Sequence, residues 1–246
     1  LPTCILLLTA CQSTTAPAST PEQPAPAVQA EPETKPDPVL ETLRRIEAGG
    51  KDVLVWGGTD GFCYGYASKP EKDEEGFDVF NPIWKVDCNE PHYWKDKDGK
   101  KIPYATPPGP SELIGTPVFY EGKTYVAIGQ DPEHGDGVGR LSCIDAATGK
   151  VVWKYTDVGR TISTVSVADD LVYVAEYAGL IHCIDANTGK LYWKHDSFSR
   201  IWGSTLVVGG KVLLGNEDGD LLILDHGKSK PTVKTMDMGA PVYSSP

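Results

Sequence analysis

Residues 139–153 read GRLSCIDAATGKVVW, and forty positions on, residues 179–193 read GLIHCIDANTGKLYW. A third copy fades into GDLLILDHGKSK at 219–230. Cys143 and Cys183, Asp145 and Asp185, Gly149 and Gly189, and Trp153 and Trp193 each stand 40 apart. A constant period of this length marks a repeat architecture. Within the unit, Leu141 and Cys143 alternate with Ser142 and Ile144, a period of two that belongs to strands. Asp145 or Asp185 ends the strand. Ala-Thr-Gly or Asn-Thr-Gly then turns the chain, with Gly149 or Gly189 able to take positive φ, and 151–153 or 191–193 returns.

Working outward, each unit is preceded by a second hairpin: 116–120 with 124–128, 164–167 with 171–175, and 205–208 with 212–215. Four short strands per forty residues is one propeller blade. The expected fold is therefore all-β: a β-propeller of four-stranded antiparallel blades, with four and a part blades present. The units fall near 53–86, 115–155, 163–195 and 203–238, and the start of another lies at 240–246. Trp153 and Trp193, at one place on the outer strand, are expected to sit between neighbouring blades. The fourth unit has no Trp on its last strand, and 234–238 fills that place.

Three inserts interrupt the period. A charged stretch, 68–78, stretches the first outer hairpin. Gly115 stands 31 positions after Trp84 where later blades use ten, and the insert holds His92, Tyr93, Trp94 and Tyr104 among many Pro and Gly. From Tyr125 to Gly139 is 14 residues against six elsewhere. Long irregular loops in a compact repeat are functional or disordered.

The first forty residues are different. The run Leu8-Thr9-Ala10-Cys11 after a short apolar stretch resembles a bacterial lipobox, so 1–11 is expected to be a lipoprotein signal remnant with Cys11 the acylated residue. Residues 12–40, rich in Pro, Ala and Glu without an aromatic, cannot form a core and are expected to be a disordered tether. A partial propeller then fills 41–246, opening at 41–47 with a helical turn or an edge element. Four blades and an opening strand imply a fragment of a longer propeller.

With 23 Lys and Arg against 34 Asp and Glu, the formal charge is −11 and the pI is near 4.9. That disfavours nucleic acid, whose phosphates need a basic field, and adsorption to anionic lipid. No internal run reaches the roughly 18 apolar residues of a membrane span, so membrane attachment is expected through Cys11. Of six cysteines, Cys4 would leave with the leader. Cys143 and Cys183 are expected to be buried and too far apart to bridge, and Cys63 and Cys88 are open to pairing in an oxidising compartment.

The motif Ala147-Thr148-Gly149-Lys150-x-x-Trp153, repeated as Asn187-Thr188-Gly189-Lys190-x-x-Trp193 and preceded each time by Ile-Asp-Ala, resembles the repeat of pyrroloquinoline-quinone (PQQ) enzyme propellers. The resemblance covers 53–246. Residues 115–119 and 128–135 look like PQQ-like repeat proteins of envelope-rich bacteria such as planctomycetes. The BamB-type outer-membrane assembly lipoproteins are similar in architecture and imply a lipid-anchored, periplasm-facing protein. PQQ dehydrogenases hold their quinone with adjacent cysteines, calcium with acidic and amide ligands, and an Asp base. No two cysteines are adjacent here, and no such ligand set can be matched residue by residue. No cofactor is therefore expected, and PQQ with calcium belongs only to the alternative of a quinoprotein alcohol or sugar dehydrogenase whose catalytic residues lie in further blades.

Candidate sites are few. Asp131, Glu133, His134 and Asp136 place four possible metal ligands in six residues, though without calcium-loop spacing. Acidic residues in such a Gly-rich loop are ordinarily solvated. Arg160 and Arg200 share a register on the connections between blades, near the axis. With Trp202 they could clamp a carboxylate of a partner, or they could pair with Asp157 and Asp196 as structural bridges. His92, Tyr93 and Trp94 either recognise a protein or cover the rim. The expected function is a non-catalytic, cell-envelope, protein-binding or scaffold propeller, whose partner is a protein or an envelope polymer.

Overall fold

The computed structural model describes residues 47–48, 51–103 and 109–246. The lipobox with Cys11, Cys4, the tether 12–40, residues 41–46 and Tyr104 lie outside the described residues.

Four antiparallel four-stranded sheets follow one another along the chain. The first holds β1 (Glu47–Ala48), β2 (Lys51–Gly57), β3 (Phe62–Ala67) and β6 (Pro82–Asp87). The short hairpin of β4 (Glu71–Lys72) and β5 (Asp78–Val79) loops out of its last connection. The second holds β7 (Val118–Tyr120), β8 (Lys123–Ile128), β9 (Arg140–Asp145) and β10 (Val151–Tyr155). The third holds β11 (Ser166–Ala168), β12 (Leu171–Ala175), β13 (Leu180–Asp185) and β14 (Leu191–Asp196). The fourth holds β15 (Leu206–Val208), β16 (Lys211–Gly215), β17 (Asp220–Asp225) and β18 (Val233–Asp237). This is the expected β-propeller architecture. Residues 240–246 form no strand; Val242 N–H donates to Asn216 O at 2.9 Å, and Ser245 accepts from Ser204 N–H as Ser204 accepts from Thr164 N–H. At the other end, β1 is an edge strand paired with β2.

Burial shows how the sheets stack. All five residues of β12 are buried, because apolar side chains on both faces meet a neighbouring sheet. Three core clusters fill the three seams. Val53, Cys63, Trp84 and Val86 meet Val126, Ile128 and Ile144. Tyr125, Leu141 and Cys143 meet Val172, Val174 and Ile184. Tyr173, Ile181, Cys183 and Trp193 meet Val212, Leu214, Leu222 and Leu224.

A tryptophan fastens each seam. Trp84, Trp153 and Trp193 each donate the indole N–H at 2.9 Å to a carbonyl of the following blade's outer turn, respectively Ala146, Ala186 and Gly227. In two of these turns the Asp carboxylate accepts from the Thr148 or Thr188 N–H at 2.9 Å and holds the loop shape. Gly149 (φ 72°) and Gly189 (φ 73°) then sit under the rings of Trp84 and Trp153, where a Cβ would come within 2.7 Å. The glycine serves backbone sign and ring contact together. Tyr125 Oη donates to the same Ala186 carbonyl at 3.0 Å. In blade 4 the cross-strand position of Trp193 is taken by Lys234, opposite Ile223 as Trp193 is opposite Cys183.

Near the axis a hydroxyl relay joins successive blades. Thr116 N–H donates to Thr164 Oγ1, Thr164 N–H to Ser204 Oγ, and Ser204 N–H to Ser245 Oγ, at 2.8 to 2.9 Å.

Truncating Trp84 to Ala is expected to cost about 3–5 kcal/mol in urea unfolding. Trp84→Phe, which keeps a ring but loses the N–H, is expected to cost less. Gly149→Ala is expected to cost about 1–2 kcal/mol by its left-handed backbone alone, and more through the ring contact. Equal effects of the two Trp84 variants would remove the indole–carbonyl bond from this account.

Candidate functional site

The turns β8–β9, β12–β13 and β16–β17 lie at the same end of the blades as the connections from each outer strand to the next innermost strand. At this end Tyr177 N–H donates to Arg160 O at 2.8 Å, and forty residues on Glu217 N–H donates to Arg200 O at 2.9 Å. The repeat thus places both arginines on equivalent connections, and the first bond brings Tyr177 between them. Arg160 Cζ lies 4.2 Å from the Tyr177 ring centroid and Arg200 Cζ 5.6 Å. Trp202 meets the same ring edge-on at 5.0 Å, and Tyr243 meets Trp202 at 5.8 Å. Cation–π contacts of this kind contribute about 0.5–2 kcal/mol, depending on desolvation.

The guanidinium groups are held differently. Arg160 Nη1 donates to Gly135 O, inside the long β8–β9 loop. Arg200 is 61% exposed, and its Nη1 is 3.7 Å from Glu217 Oε2. The bridges from Arg160 to Asp157 and from Arg200 to Asp196 are not formed. Asp157 instead takes Lys194 Nζ at 2.9 Å, and Asp196 accepts the Phe198 N–H at 2.8 Å. The reason is directional: the bonds from Tyr177 N–H to Arg160 O and from Glu217 N–H to Arg200 O hold each connection against the next blade's turn, where the guanidinium groups meet Gly135 and Glu217 instead. Phe198, two residues ahead of Arg200, is 88% exposed with φ 57°. That backbone is unfavourable for a bulky side chain.

A buried polar group underlies the cluster. His182 is fully buried, with Nδ1 3.1 Å from Tyr155 Oη and Nε2 2.8 Å from Glu176 Oε1. The latter is a close contact that is not aligned as a hydrogen bond. Burial alone would raise the Glu176 carboxyl. His182 and the Gly159 N–H outweigh it and hold the carboxyl below its usual range. Glu176 thereby ties the turn carrying Tyr177 to the connection carrying Arg160. At the first seam Arg140, also buried, plays a similar part. It donates to Glu90 Oε1 at 2.9 Å, Asp87 O at 2.8 Å and Ser142 Oγ at 2.9 Å.

The other candidates fare variously. Asp131 caps a short turn, Pro132–His134, by accepting the Glu133 N–H at 2.8 Å, and His134 Nδ1 lies 3.7 Å from Glu112. With Glu133 and Asp136 they do not converge. Among the described residues no three His, Cys, Asp or Glu side chains are grouped to hold a metal. In the insert, Trp94 Nε1 donates to Asp87 Oδ2 at 2.9 Å and Tyr93 packs on the first seam, leaving His92 exposed. Tyr93 and Trp94 thus cover the rim, because a half-buried N–H and ring find partners on blade 1. Cys63, Cys88, Cys143 and Cys183 are free and buried. Burial pushes Cys88, Cys143 and Cys183 up to about 11, so these thiols stay protonated at neutral pH.

Tyr177, Phe198, Glu176, His182 and Arg140 were not singled out from sequence. Tyr177 alone carried a usable signal, since it lies just before Gly179 in the turn that faces the Arg160 connection.

A family model described as outer membrane protein assembly factor BamB matches residues 137–230. The chain is similar to BamB from Moraxella catarrhalis at 16% identity and TM-score 0.57, over 79% of this chain and 50% of that one. It is also similar to a chain of the mitotic checkpoint complex, at 14% identity and TM-score 0.55 over 78% and 54%. Quinohemoprotein alcohol dehydrogenase ADHIIG from Pseudomonas putida HK5 matches at 26% identity and TM-score 0.40 over 48% and 19%. No curated protein matches the chain. The chain spans about half the length of the BamB structure. The family-model match over 137–230 and the likeness to the BamB structure support a β-propeller with PQQ-like repeats.

Because the Glu176 carboxyl lies below its usual value of 4.5 when folded, the stability it contributes is fully present above about pH 4.5. That contribution is lost as pH falls through the folded value. Glu176→Gln is therefore expected to flatten the acid limb of a stability–pH curve. An unchanged limb would assign acid sensitivity elsewhere.

Proposed function

We propose that the chain is a non-catalytic, periplasm-facing cell-envelope propeller that works as a protein-binding or scaffold module, with Cys11 carrying the lipid that holds it to the membrane. The observation that supports this most is the Arg160–Tyr177–Arg200 sandwich with Trp202 on the connection face. Arg, Tyr and Trp are the residues that dominate binding energy at protein interfaces. In a chain of net charge −11, an exposed guanidinium beside an exposed Phe198 favours a partner segment with carboxylates and an apolar side chain. The carboxylate would take Arg200 by charge-assisted hydrogen bonds, with Arg160 held in place by Gly135 and Tyr177. Likeness to BamB, which is named as an outer membrane assembly factor, supports an envelope location and a binding role.

The alternative is a PQQ-dependent dehydrogenase. The side chains described do not fit a quinone and calcium: the four cysteines are buried in strands or seams with protonated thiols, and no carboxylate group converges. No step of quinone chemistry can be assigned to the described residues.

A photoreactive amino acid at position 198 in producing cells is expected to give a discrete adduct with an envelope protein. The adduct should fall about tenfold or more in Arg160→Glu/Arg200→Glu and be absent when the probe stands at Lys150, at the opposite end of the blades. No adduct, or one indifferent to the arginines, would refute the binding face. A palmitate analogue is expected to label the wild type and not Cys11→Ala. Added PQQ with calcium is expected to leave the absorption spectrum unchanged and support no dye-linked alcohol oxidation, and turnover would establish the alternative.

A further inference from the structure

The rim of the first seam differs from that of the second. At the second seam Lys123, cross-strand to Asp145, reaches the next blade's outer turn and donates to Asn187 Oδ1 at 3.3 Å. The equivalent positions at the first seam are Val53, cross-strand to Ala67, and Ala147. Val53 is buried and Ala147 packs against the same core cluster, so short apolar side chains stand where a lysine spans the second seam. A recess of about 570 Å³ lies here, between Ala67, Lys69 and Ile83 of blade 1 and Ala147 and Thr148 of blade 2. Ile83 is 49% exposed. Both walls come from consecutive blades that the chain itself supplies, so the recess exists whatever stands beyond blade 1 or blade 4. A volume of this size takes an apolar side chain with the backbone that carries it.

The arm rooted on its wall selects what enters. The 68–81 insert leaves blade 1 at Ser68 and Lys69 and returns just ahead of Ile83. It carries Glu71, Asp73, Glu74, Glu75 and Asp78 against Lys69 and Lys72, all exposed. Its own bonds shape it. Glu71 pairs with Val79 and Lys72 with Asp78 across the hairpin, and Lys72 Nζ lies 2.8 Å from Asp78 Oδ1. Asp73 Oδ1 accepts the N–H groups of Glu75 and Phe77 at 3.0 and 2.8 Å, and Glu71 Oε2 accepts from Asn81 Nδ2 at 2.9 Å. Lys72 is thus neutralised within the arm, while Glu74 and Glu75 at its tip have no such partner among the described residues. An ordered acidic arm beside an apolar recess is complementary to a segment that carries cations around an apolar side chain.

We propose that the rim recess of the first seam is the docking site for a basic segment of a partner protein, with one apolar side chain seated against Ile83, Ala67 and Ala147 and its lysines or arginines along the 68–81 hairpin. The charge of the hairpin favours such a partner over a second copy of this acidic chain and over an anionic lipid surface. The recess lies at the opposite end of the blades from Arg160, Tyr177 and Arg200. The two sites have opposite charge preferences, which suits a scaffold that holds two different partners at once.

The test uses the 246-residue chain and a short fluorescein-labelled peptide of lysines flanking leucines, read by anisotropy. Saturable binding with Kd below about 1 mM is expected, about tenfold or more tighter than for the counterpart with Ser at the Leu positions. The counterpart with Glu at the Lys positions is expected not to bind. Glu74→Lys/Glu75→Lys and Ile83→Asp are each expected to weaken binding about tenfold or more, with near-ultraviolet circular dichroism unchanged. Arg160→Glu/Arg200→Glu is expected to leave it unchanged, so failure here and failure of the connection-face reading are told apart. The absence of saturable binding overturns the proposal, as does binding that the Ser counterpart matches or that ignores both the hairpin and the Ile83 variants. Self-association in analytical ultracentrifugation that is lost in Lys97→Glu/Lys100→Glu assigns the recess to a second copy and overturns it as well.

Discussion

An indole N–H held on the backbone carbonyl of the neighbouring blade's outer turn recurs at all three seams, and the rest of the molecule is arranged around it. Isolated four-stranded sheets with apolar side chains on both faces are unstable in water. Burial of those faces drives the stacking but does not by itself set how far one sheet turns relative to the next. The directional bond from Trp84, Trp153 or Trp193, with the ring lying on Gly149 or Gly189 in two of the three cases, fixes that relation at the rim. The Thr164–Ser204–Ser245 hydroxyl relay fixes it near the axis. At the second and third seams these two points of attachment hold neighbouring blades rigidly.

That rigidity gives the connection face its chemistry. Arg160 and Arg200 come from different connections, forty residues apart, yet both lie within 6 Å of one tyrosine ring. They can do so because the wedge angle brings the blade 3 turn under the axis between them. Glu176 and His182 secure the same turn from below, so the cluster is preformed and a partner would not have to order it. The left-handed Phe198 is the one strained residue on this face, and it is also the most exposed aromatic among the described residues.

Departures from the repeat are where the seams become individual. Arg140 with Glu90 and Lys154 stands at the first seam, His182 with Glu176 and Tyr155 at the second, and His226 with Tyr173 and Asp169 at the third. The first two are largely buried, and such pairs add little net stability but penalise a mismatched neighbour heavily. In a repeat protein, that discourages one blade from docking on the wrong partner.

Strand placement, turn chemistry and the seam tryptophans were legible in the sequence, because alternation, Asp-x-Thr-Gly turns and a period of 40 are local properties that survive in any context. Register carried the assignment of Arg160 and Arg200 to equivalent connections for the same reason. Their neighbours were not legible: the expected partners Asp157 and Asp196 are close in sequence, whereas Tyr177, Gly135 and Glu217 arrive from other turns. The aromatic insert shows the same limit, since composition could not say whether Trp94 faces solvent or donates to Asp87. Periodicity thus determined what each blade is. Only the packing of blade on blade decided which side chains meet at the axis, because those contacts depend on the angle between sheets, a quantity that no single strand encodes.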